Sequence, residues 1–322
     1  MFNLKSGKVI IIYLSLMKIL GVLPYTWNYR KPKNGFQNKI IGIRNIKFSY
    51  LIMFFSIIYH ITLITIYILQ IDVFTQYFRD MSSEKTSFTM QTAVYGYSIG
   101  FVIYYCFLVL ILIINSNGLL KILAKYNTLF TYQCKPLKLF IYFIIYVALY
   151  CVTYSMTLVN FVKMDAGILN SIGAIILPFS SSVISFLHIL FFVLCYEAIG
   201  NEWKNVLTNK STPIFDLENG KEKTTKNYAF ESEVFSNGNF ETAAQNSSCL
   251  NSLQSEINDN FYGSVSLILL ISICQYTSIM FSLISENNNM FIICGSICSA
   301  IISMIIIFVC CNSSRTSQTQ VN

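Results

Sequence analysis

Few residues in this 322-residue chain have types and spacing that could carry chemistry. Its two histidines, His60 and His188, both lie in long apolar segments. An ionisable group inside a membrane is a functional candidate by default, although a neutral histidine needs only a hydrogen-bond partner. The sequence contains no glycine-rich nucleotide loop, no metal-ligand spacing and no Ser–His–Asp order. We therefore predict no enzymatic activity, no cofactor and no bound metal.

A set of polar and aromatic side chains in the apolar segments suits the binding of a small molecule. Ligand pockets are mostly apolar and aromatic, with a few placed polar groups. Tyrosines also anchor proteins at membrane interfaces, and with 21 Tyr and 26 Phe in the chain that role is the commoner one. The candidate ligand-binding residues, expected in the outer half of the molecule, are Gln91, Tyr95, Ser98, Tyr154, Ser155, Asn160, Ser171, Gln275 and Tyr276.

Pro178 lies inside the fourth apolar segment and is followed closely by Ser180, Ser181 and Ser182. Proline removes a helix hydrogen bond and favours a kink, and nearby serines can satisfy the freed carbonyls. Such a kink either shapes a pocket or serves packing, and both roles are open.

The composition of the chain indicates that membrane-spanning segments position these residues. The chain is 54% hydrophobic and only 11% charged, whereas soluble domains carry about 25% charged residues. The first 47 residues hold nine basic residues and no acid. This concentration orients a membrane protein, so the net charge of +7 does not indicate a nucleic-acid partner.

The segment 48–71 sets the predicted topology, because it has 24 residues without a formal charge and follows the basic stretch. Roughly 20 apolar residues cross a bilayer, and a basic flank stays on the cytoplasmic side. We predict an all-α, polytopic transmembrane helical bundle with a cytoplasmic N-terminus (residues 1–47). The six predicted spans are 48–71, 93–114, 139–161, 170–194, 261–284 and 291–311.

The loops agree with this alternation. Residues 72–92 carry a net charge of −1, whereas 115–138 carry four lysines and no acid. The loop 197–260 is predicted to be cytoplasmic: 197–210 continues the fourth helix, and 211–248 lacks hydrophobic periodicity and is predicted to be disordered. A polar tail, 312–322, ends the chain.

The apolar run 9–23 is short for a span. It is predicted to be an interfacial or re-entrant helix that ends at Pro24, and a signal peptide is the alternative. None of the ten cysteines falls in a predicted outside segment, so no disulfide is expected.

The chain resembles the insect gustatory receptors, within the seven-helix insect chemoreceptor superfamily. The resemblance rests on LMKILGVLPY at 16–25, on INDNFYGSVSLILLISICQYTSIMFSLI at 257–284, and on the basic N-terminus and the long fourth loop. It implies a multi-pass plasma-membrane protein, in contact with membrane lipid, that forms homo- or hetero-tetramers with other gustatory receptors. It also implies a ligand-gated, non-selective cation channel that detects small-molecule tastants, with the intracellular ends of the last helices forming a shared anchor.

The chain departs from the family at its end. The T-Y-x-x-x-x-x-Q-F signature of the seventh helix is missing, and only NSSRTSQTQVN follows Cys311. We therefore expect that the chain expressed alone reaches membranes without conducting, and a non-conducting truncated family member is an alternative. A membrane transporter is another, disfavoured by predicted spans that lack Asp, Glu, Lys and Arg. A G-protein-coupled receptor would need an outside N-terminus, which the basic residues oppose.

Overall fold

A computed structural model describes residues 6–29, 43–72, 88–125, 129, 136–163, 168–207, 237–284, 297–298, 300–302 and 304–308. Helices dominate this part of the chain, and a two-stranded hairpin lies near its beginning. The elements are α1 (Ser6–Ile19), β1 (Tyr25–Tyr29), β2 (Ile43–Phe48), α2 (Tyr50–Leu69), α3 (Phe88–Lys125), α4 (Pro136–Lys163), α5 (Ile168–Leu207) and α6 (Asn237–Ile284).

Five helices, α2 to α6, are long and apolar enough to cross a membrane. This indicates a membrane protein and confirms the prediction of a helical chain with membrane-length apolar helices. The second to fifth predicted spans each lie inside one of these helices, whereas the first, 48–71, overruns α2 by two residues at each end, since Phe48 belongs to β2. The sixth, 291–311, lies partly outside the described residues, and those described within it are helical.

Helix α2 has the distribution of side chains expected in lipid. It buries Ser56, His60, Leu63 and Tyr67 on one face, while large apolar side chains such as Phe54 and Phe55 are about 60% exposed. A helix in water would place its polar residues outward. In hydrocarbon the exposed apolar groups are solvated by lipid, and the polar groups find partners inside the bundle.

Three helices are much longer than a bilayer requires. Helices α3, α5 and α6 have 38, 40 and 48 residues, or about 57, 60 and 72 Å at 1.5 Å per residue. Helix α5 continues to Leu207, within the predicted continuation 197–210. Helix α6 begins at Asn237, so the prediction of disorder over 211–248 is wrong for residues 237–248. Cys249 and Leu250, directly after that segment, are buried, whereas the sequence of 237–248 has no hydrophobic periodicity from which a helix could be predicted.

The hairpin of β1 and β2 corrects the prediction of an all-α fold. The two strands are antiparallel, pair Tyr25 with Phe48 and Tyr29 with Ile43, and have an irregularity between Thr26 and Asn28. The prediction weighed the basic charges of this region and overlooked its alternation. Tyr25, Trp27 and Ile46 pack against the core, whereas Thr26 and Lys47 are exposed.

Helix α1 packs against the bundle. Tyr13, Leu14 and Met17 are buried, and the ring of Tyr13 stacks on Phe191 of α5 with centroids 4.6 Å apart. The chain then turns at Gly21, whose φ is +74°. The turn brings the Gly21 carbonyl to α2, where it accepts a hydrogen bond from the Ser56 hydroxyl.

Candidate functional site

A group of tyrosines and serines joins four helices in the interior of the bundle, and we call it the tyrosine–serine layer. Its serines come from α5, in the turns that follow Pro178. Its tyrosines come from α2, α3 and α4, close to the middle of each predicted span. The members are Tyr59, Tyr104, Tyr146, Tyr154, Ser180, Ser182 and Ser185.

Hydrogen bonds hold the layer together. The hydroxyls of Tyr104 and Ser185 are 3.2 Å apart, and those of Tyr59 and Ser180 are 3.5 Å apart.

On the α4 side, the hydroxyl of Tyr146 donates to the Ser182 carbonyl at 3.0 Å, and the hydroxyls of Tyr154 and Ser182 are 3.4 Å apart. A polar group away from water costs free energy unless it is paired. The layer therefore fixes how α2, α3 and α4 sit against α5.

Aromatic rings surround these hydroxyls. Tyr146 stacks on Phe186 with centroids 3.4 Å apart, and Tyr154 stacks on Tyr150 and meets the edge of Phe179. The result is a partly apolar environment with a few placed polar groups, which is the chemistry that binds small organic molecules. Pro178 lies at the start of this region within α5, which stays helical through it.

His60 makes two hydrogen bonds beside the layer. Its Nε2 lies 3.3 Å from the Gly21 carbonyl, and its Nδ1 lies 2.7 Å from the Tyr105 hydroxyl. A carbonyl only accepts, so Nε2 carries the proton and donates it, and Nδ1 accepts from Tyr105. This pairing supports a structural role for His60 in helix packing rather than a role in ligand binding, because the histidine links the turn after α1 to α2 and α3.

His188 follows the serines of the layer along α5 and lies beside α6. Its Nε2 is 2.6 Å from the Ser264 hydroxyl, and its ring stacks on Phe261 with centroids 4.8 Å apart. Among the described residues, His188 Nδ1 and the Tyr13 hydroxyl are buried without a hydrogen-bond partner.

A small cavity lies between α1, α3, α5 and α6. It is lined by Tyr13, His188, Asn115, Asn260 and neighbouring apolar side chains. Its volume, taken as the space open to the centre of a water-sized sphere, is about 10 Å³. That is close to the lower limit for a single water molecule, so this cavity does not fit a tastant.

From the cavity toward the first end of α6, α3 and α5 contact the long extension of α6. The side chain of Asn115 donates to the Asn260 carbonyl at 2.7 Å, and Lys125 forms an ion pair with Glu256 at 2.7 Å. The Tyr196 hydroxyl of α5 donates to the Asn258 side chain. These contacts place the far ends of α3 and α5 and the first half of α6 at one end of the molecule.

The structure separates the predicted ligand-binding residues. Tyr95 is exposed and donates to Asp72 at 3.0 Å, whereas Tyr154 belongs to the tyrosine–serine layer. The side chains of Gln91 and Asn160 lie outside the described part of the chain. Of the others, Ser98 and Ser171 are buried, Ser155 is exposed, and Gln275 and Tyr276 are half-buried.

Sequence reasoning missed most of the layer because it searched the outer halves of the spans. Of its tyrosines, Tyr59, Tyr104 and Tyr146 are not among the predicted candidates. A usable signal was present: a tyrosine lies close to the centre of each of the first three spans, and a serine cluster lies at the centre of the fourth.

Comparison with known proteins adds no relative. No protein-family model matches this chain, and no curated protein matches it either.

Proposed function

We propose that this protein is a gustatory-receptor-like chemosensory protein of the plasma membrane, a subunit of a ligand-gated, non-selective cation channel that responds to tastants. The proposal joins the family resemblance of the sequence to the architecture of the described residues. In this proposal the N-terminus and the 197–260 loop face the cytoplasm.

The observation that carries the proposal is the helical extension at one end of the bundle. Helices α3, α5 and α6 each exceed the roughly 20 residues that a bilayer needs, and they contact one another beyond the apolar region. This extension buries Trp203, Leu250, Leu253 and Ile257. An anchor built from intracellular helix ends is what the family resemblance implies.

The two ends of α3 support a spanning arrangement. Tyr95, near its first end, contacts Asp72, and Lys125, at its last residue, contacts Glu256. Thirty helical residues separate them, which is about 45 Å at 1.5 Å per residue. The distance exceeds the roughly 30 Å of a hydrocarbon core, so α3 is long enough to hold the two contacts on opposite sides of the bilayer, as the proposal requires.

Helix α5 gives the proposal a route from ligand to anchor. It carries Ser180, Ser182 and Ser185 of the tyrosine–serine layer and continues to Tyr196 and Trp203 in the extension. A ligand that displaced a tyrosine from a serine would change the packing of a helix that reaches the anchor. A ligand shifts a protein between two conformations only if it binds one of them more tightly. In this proposal the two conformations differ in whether a tyrosine hydroxyl is paired with a serine of α5.

The layer contains no Asp, Glu, Lys or Arg, and the apolar parts of α2 and α4 contain none either. Ion-coupled transporters commonly use charges in the membrane. We therefore prefer the receptor to the transporter.

The test is ligand-evoked current in cells that express the full chain, alone and together with other gustatory receptors, over a panel of sugars and bitter compounds. Tyr154→Ala is expected to shift the ligand concentration for half-maximal current, because it removes a hydroxyl and a ring from the layer. Tyr262→Ala is the control, since its ring is 76% exposed on α6 and lies outside the layer. Normal surface expression with no current in any combination would contradict the proposal, and uptake of a labelled compound without current would support a transporter.

A further inference from the structure

The hairpin of β1 and β2 presents a cationic and aromatic patch at the point where the chain enters the membrane. Its exposed side chains are Lys47 and Phe48 on β2, followed by Tyr50 at the start of α2. The Phe48 ring meets Tyr25 and Tyr50 edge-on, with centroids 5.4 and 5.0 Å apart. Aromatic rings of this kind lie at the level of the lipid headgroups.

A second cation, from α1, lies at the opposite face of the hairpin, because Thr26 and Lys47 share one face and Trp27 lies on the other. The ammonium of Lys18 lies 5.0 Å from the centroid of the Trp27 ring, within the range of a cation–π contact. Trp27 lies on β1 beside Thr26, whose hydroxyl donates to the Lys47 carbonyl at 3.3 Å. The turn at Gly21 therefore brings Lys18 to the same hairpin as Lys47.

The charge of the region is entirely positive. No acid occurs in the first 47 residues, which hold nine basic residues, so no carboxylate of this segment neutralises Lys18 or Lys47. No ion pair involving either lysine is found among the described residues. The patch is thus an uncompensated cationic surface beside exposed aromatic rings.

We infer that this hairpin binds the headgroup of an anionic phospholipid, such as phosphatidylserine, in the leaflet at the start of α2. Lys18 and Lys47 each contact an anionic headgroup, one at either face of the hairpin, and Phe48 and Tyr50 insert beside the glycerol region. The cytoplasmic leaflet is the anionic one, which agrees with the proposed topology. The inference needs only that the hairpin lies at a membrane surface, so it does not depend on conduction.

The chain's two tryptophans make the test direct. Trp203→Phe leaves Trp27 as the only indole, and the buried Trp203 N–H has no partner among the described residues, so this change is expected to be tolerated. The full chain is placed in lipid nanodiscs with increasing mole fractions of brominated phosphatidylserine or brominated phosphatidylcholine. Bromine quenches Trp27 only when the lipid lies beside it.

We expect half-maximal quenching at a mole fraction about fivefold lower for phosphatidylserine, since one lysine near an anionic surface contributes about a fivefold preference. The preference is expected to disappear in Lys18→Gln/Lys47→Gln and in high salt. Lys221→Gln/Lys223→Gln removes the same charge from the 197–260 loop and should keep it.

Equal quenching by the two lipids in the parent protein would overturn the inference, as would a preference that survives Lys18→Gln/Lys47→Gln. If Trp203→Phe fails to fold, Trp27→Phe supplies the Trp203 background for subtraction from the wild-type signal. A nanodisc exposes both faces of the protein, so a wrong topology leaves this result unchanged.

Discussion

Gly118 of α3 lies directly against the side chain of Asn260 of α6. A Cβ at position 118 would be 1.8 Å from the Asn260 Oδ1 atom. Asn260 cannot swing away cheaply, because its side chain donates to the Glu256 carbonyl at 2.7 Å and its own carbonyl accepts from Asn115. The close approach of the two helices therefore depends on a residue without a side chain.

Gly118→Ala is expected to lower the free energy of unfolding by about 1–3 kcal/mol, the usual cost of forcing extra volume into packed structure. Thermal unfolding of the detergent-solubilised chain measures this. Gly263→Ala on α6 is the matched control, since a Cβ there meets nothing within 4 Å. Equal melting temperatures for the two variants would show that α3 and α6 are not in close contact at this point.

Much of the architecture could be predicted from the sequence because the bilayer imposes it. Apolar runs such as 139–161 lie in helices, since backbone groups in hydrocarbon must be paired within the segment. The extension of α6 from Asn237 to Asn260 could not be predicted this way, because it lies beyond the apolar part of the helix and buries its residues through contacts distant in sequence. Tertiary packing stabilises this part of α6, and the helix propensity of its residues alone is a weak guide to its structure.

The tyrosine–serine layer shows the same limit. Tyr104 and Ser185 each look ordinary in the sequence, and their significance comes from contact across 81 positions of chain. The candidate site predicted from depth and residue type shares only Tyr154 with this layer. Tyrosine at a membrane interface and tyrosine in a buried layer have the same local pattern, so only the packing of the helices distinguishes them.

The hydrogen bond between Tyr104 and Ser185 predicts coupled effects on stability. Tyr104→Phe and Ser185→Ala are each expected to destabilise the chain, and the double variant should lose less than the sum. Interhelical side-chain hydrogen bonds in membrane proteins contribute roughly 0.6 kcal/mol on average, which sets the expected coupling. Denaturant unfolding of the four proteins measures it. Tyr95→Phe, the control, removes an exposed hydrogen bond and is expected to change the free energy of unfolding little. If the losses caused by Tyr104→Phe and Ser185→Ala simply add in the double variant, the two hydroxyls are not hydrogen-bonded to each other.

The turn after α1 predicts a second conformational constraint. Gly21 has φ +74°, and a Cβ there would lie 3.1 Å from both His60 Nε2 and Ser56 Oγ. Gly21→Ala therefore adds backbone strain of about 1–2 kcal/mol and crowds the site where α1 meets α2. We expect α1 to detach more readily.

The readout is the maleimide labelling of Met17→Cys in excess of that of the same chain with Met17, whose ten native cysteines set the background; Met17 is only 3% exposed. Labelling should be slow in that background and several-fold faster when Gly21→Ala is added. Gly96→Ala, where a Cβ has open space, should leave the rate unchanged. A fast rate in the starting variant would mean that α1 is not packed against α5.

The last prediction concerns the side of the membrane on which each loop lies. Because the Asp72–Tyr95 and Lys125–Glu256 contacts lie at opposite ends of α3, residues 72–90 and residues 211–236 should face opposite compartments. From the four lysines between 115 and 138 we predict that the second end faces the cytoplasm. Glycosylation sites engineered into 72–90 are therefore expected to be modified in cells, and sites engineered into 211–236 are not.

The native N-x-S sequences at Asn209 and Asn246 serve as internal controls and should stay unmodified. Removal of glycans with an endoglycosidase, followed by gel mobility, reads out each site. Modification of the long loop, with 72–90 unmodified, would reverse the orientation and exclude a cytoplasmic anchor; modification at both ends of α3 would show that this helix does not cross the membrane.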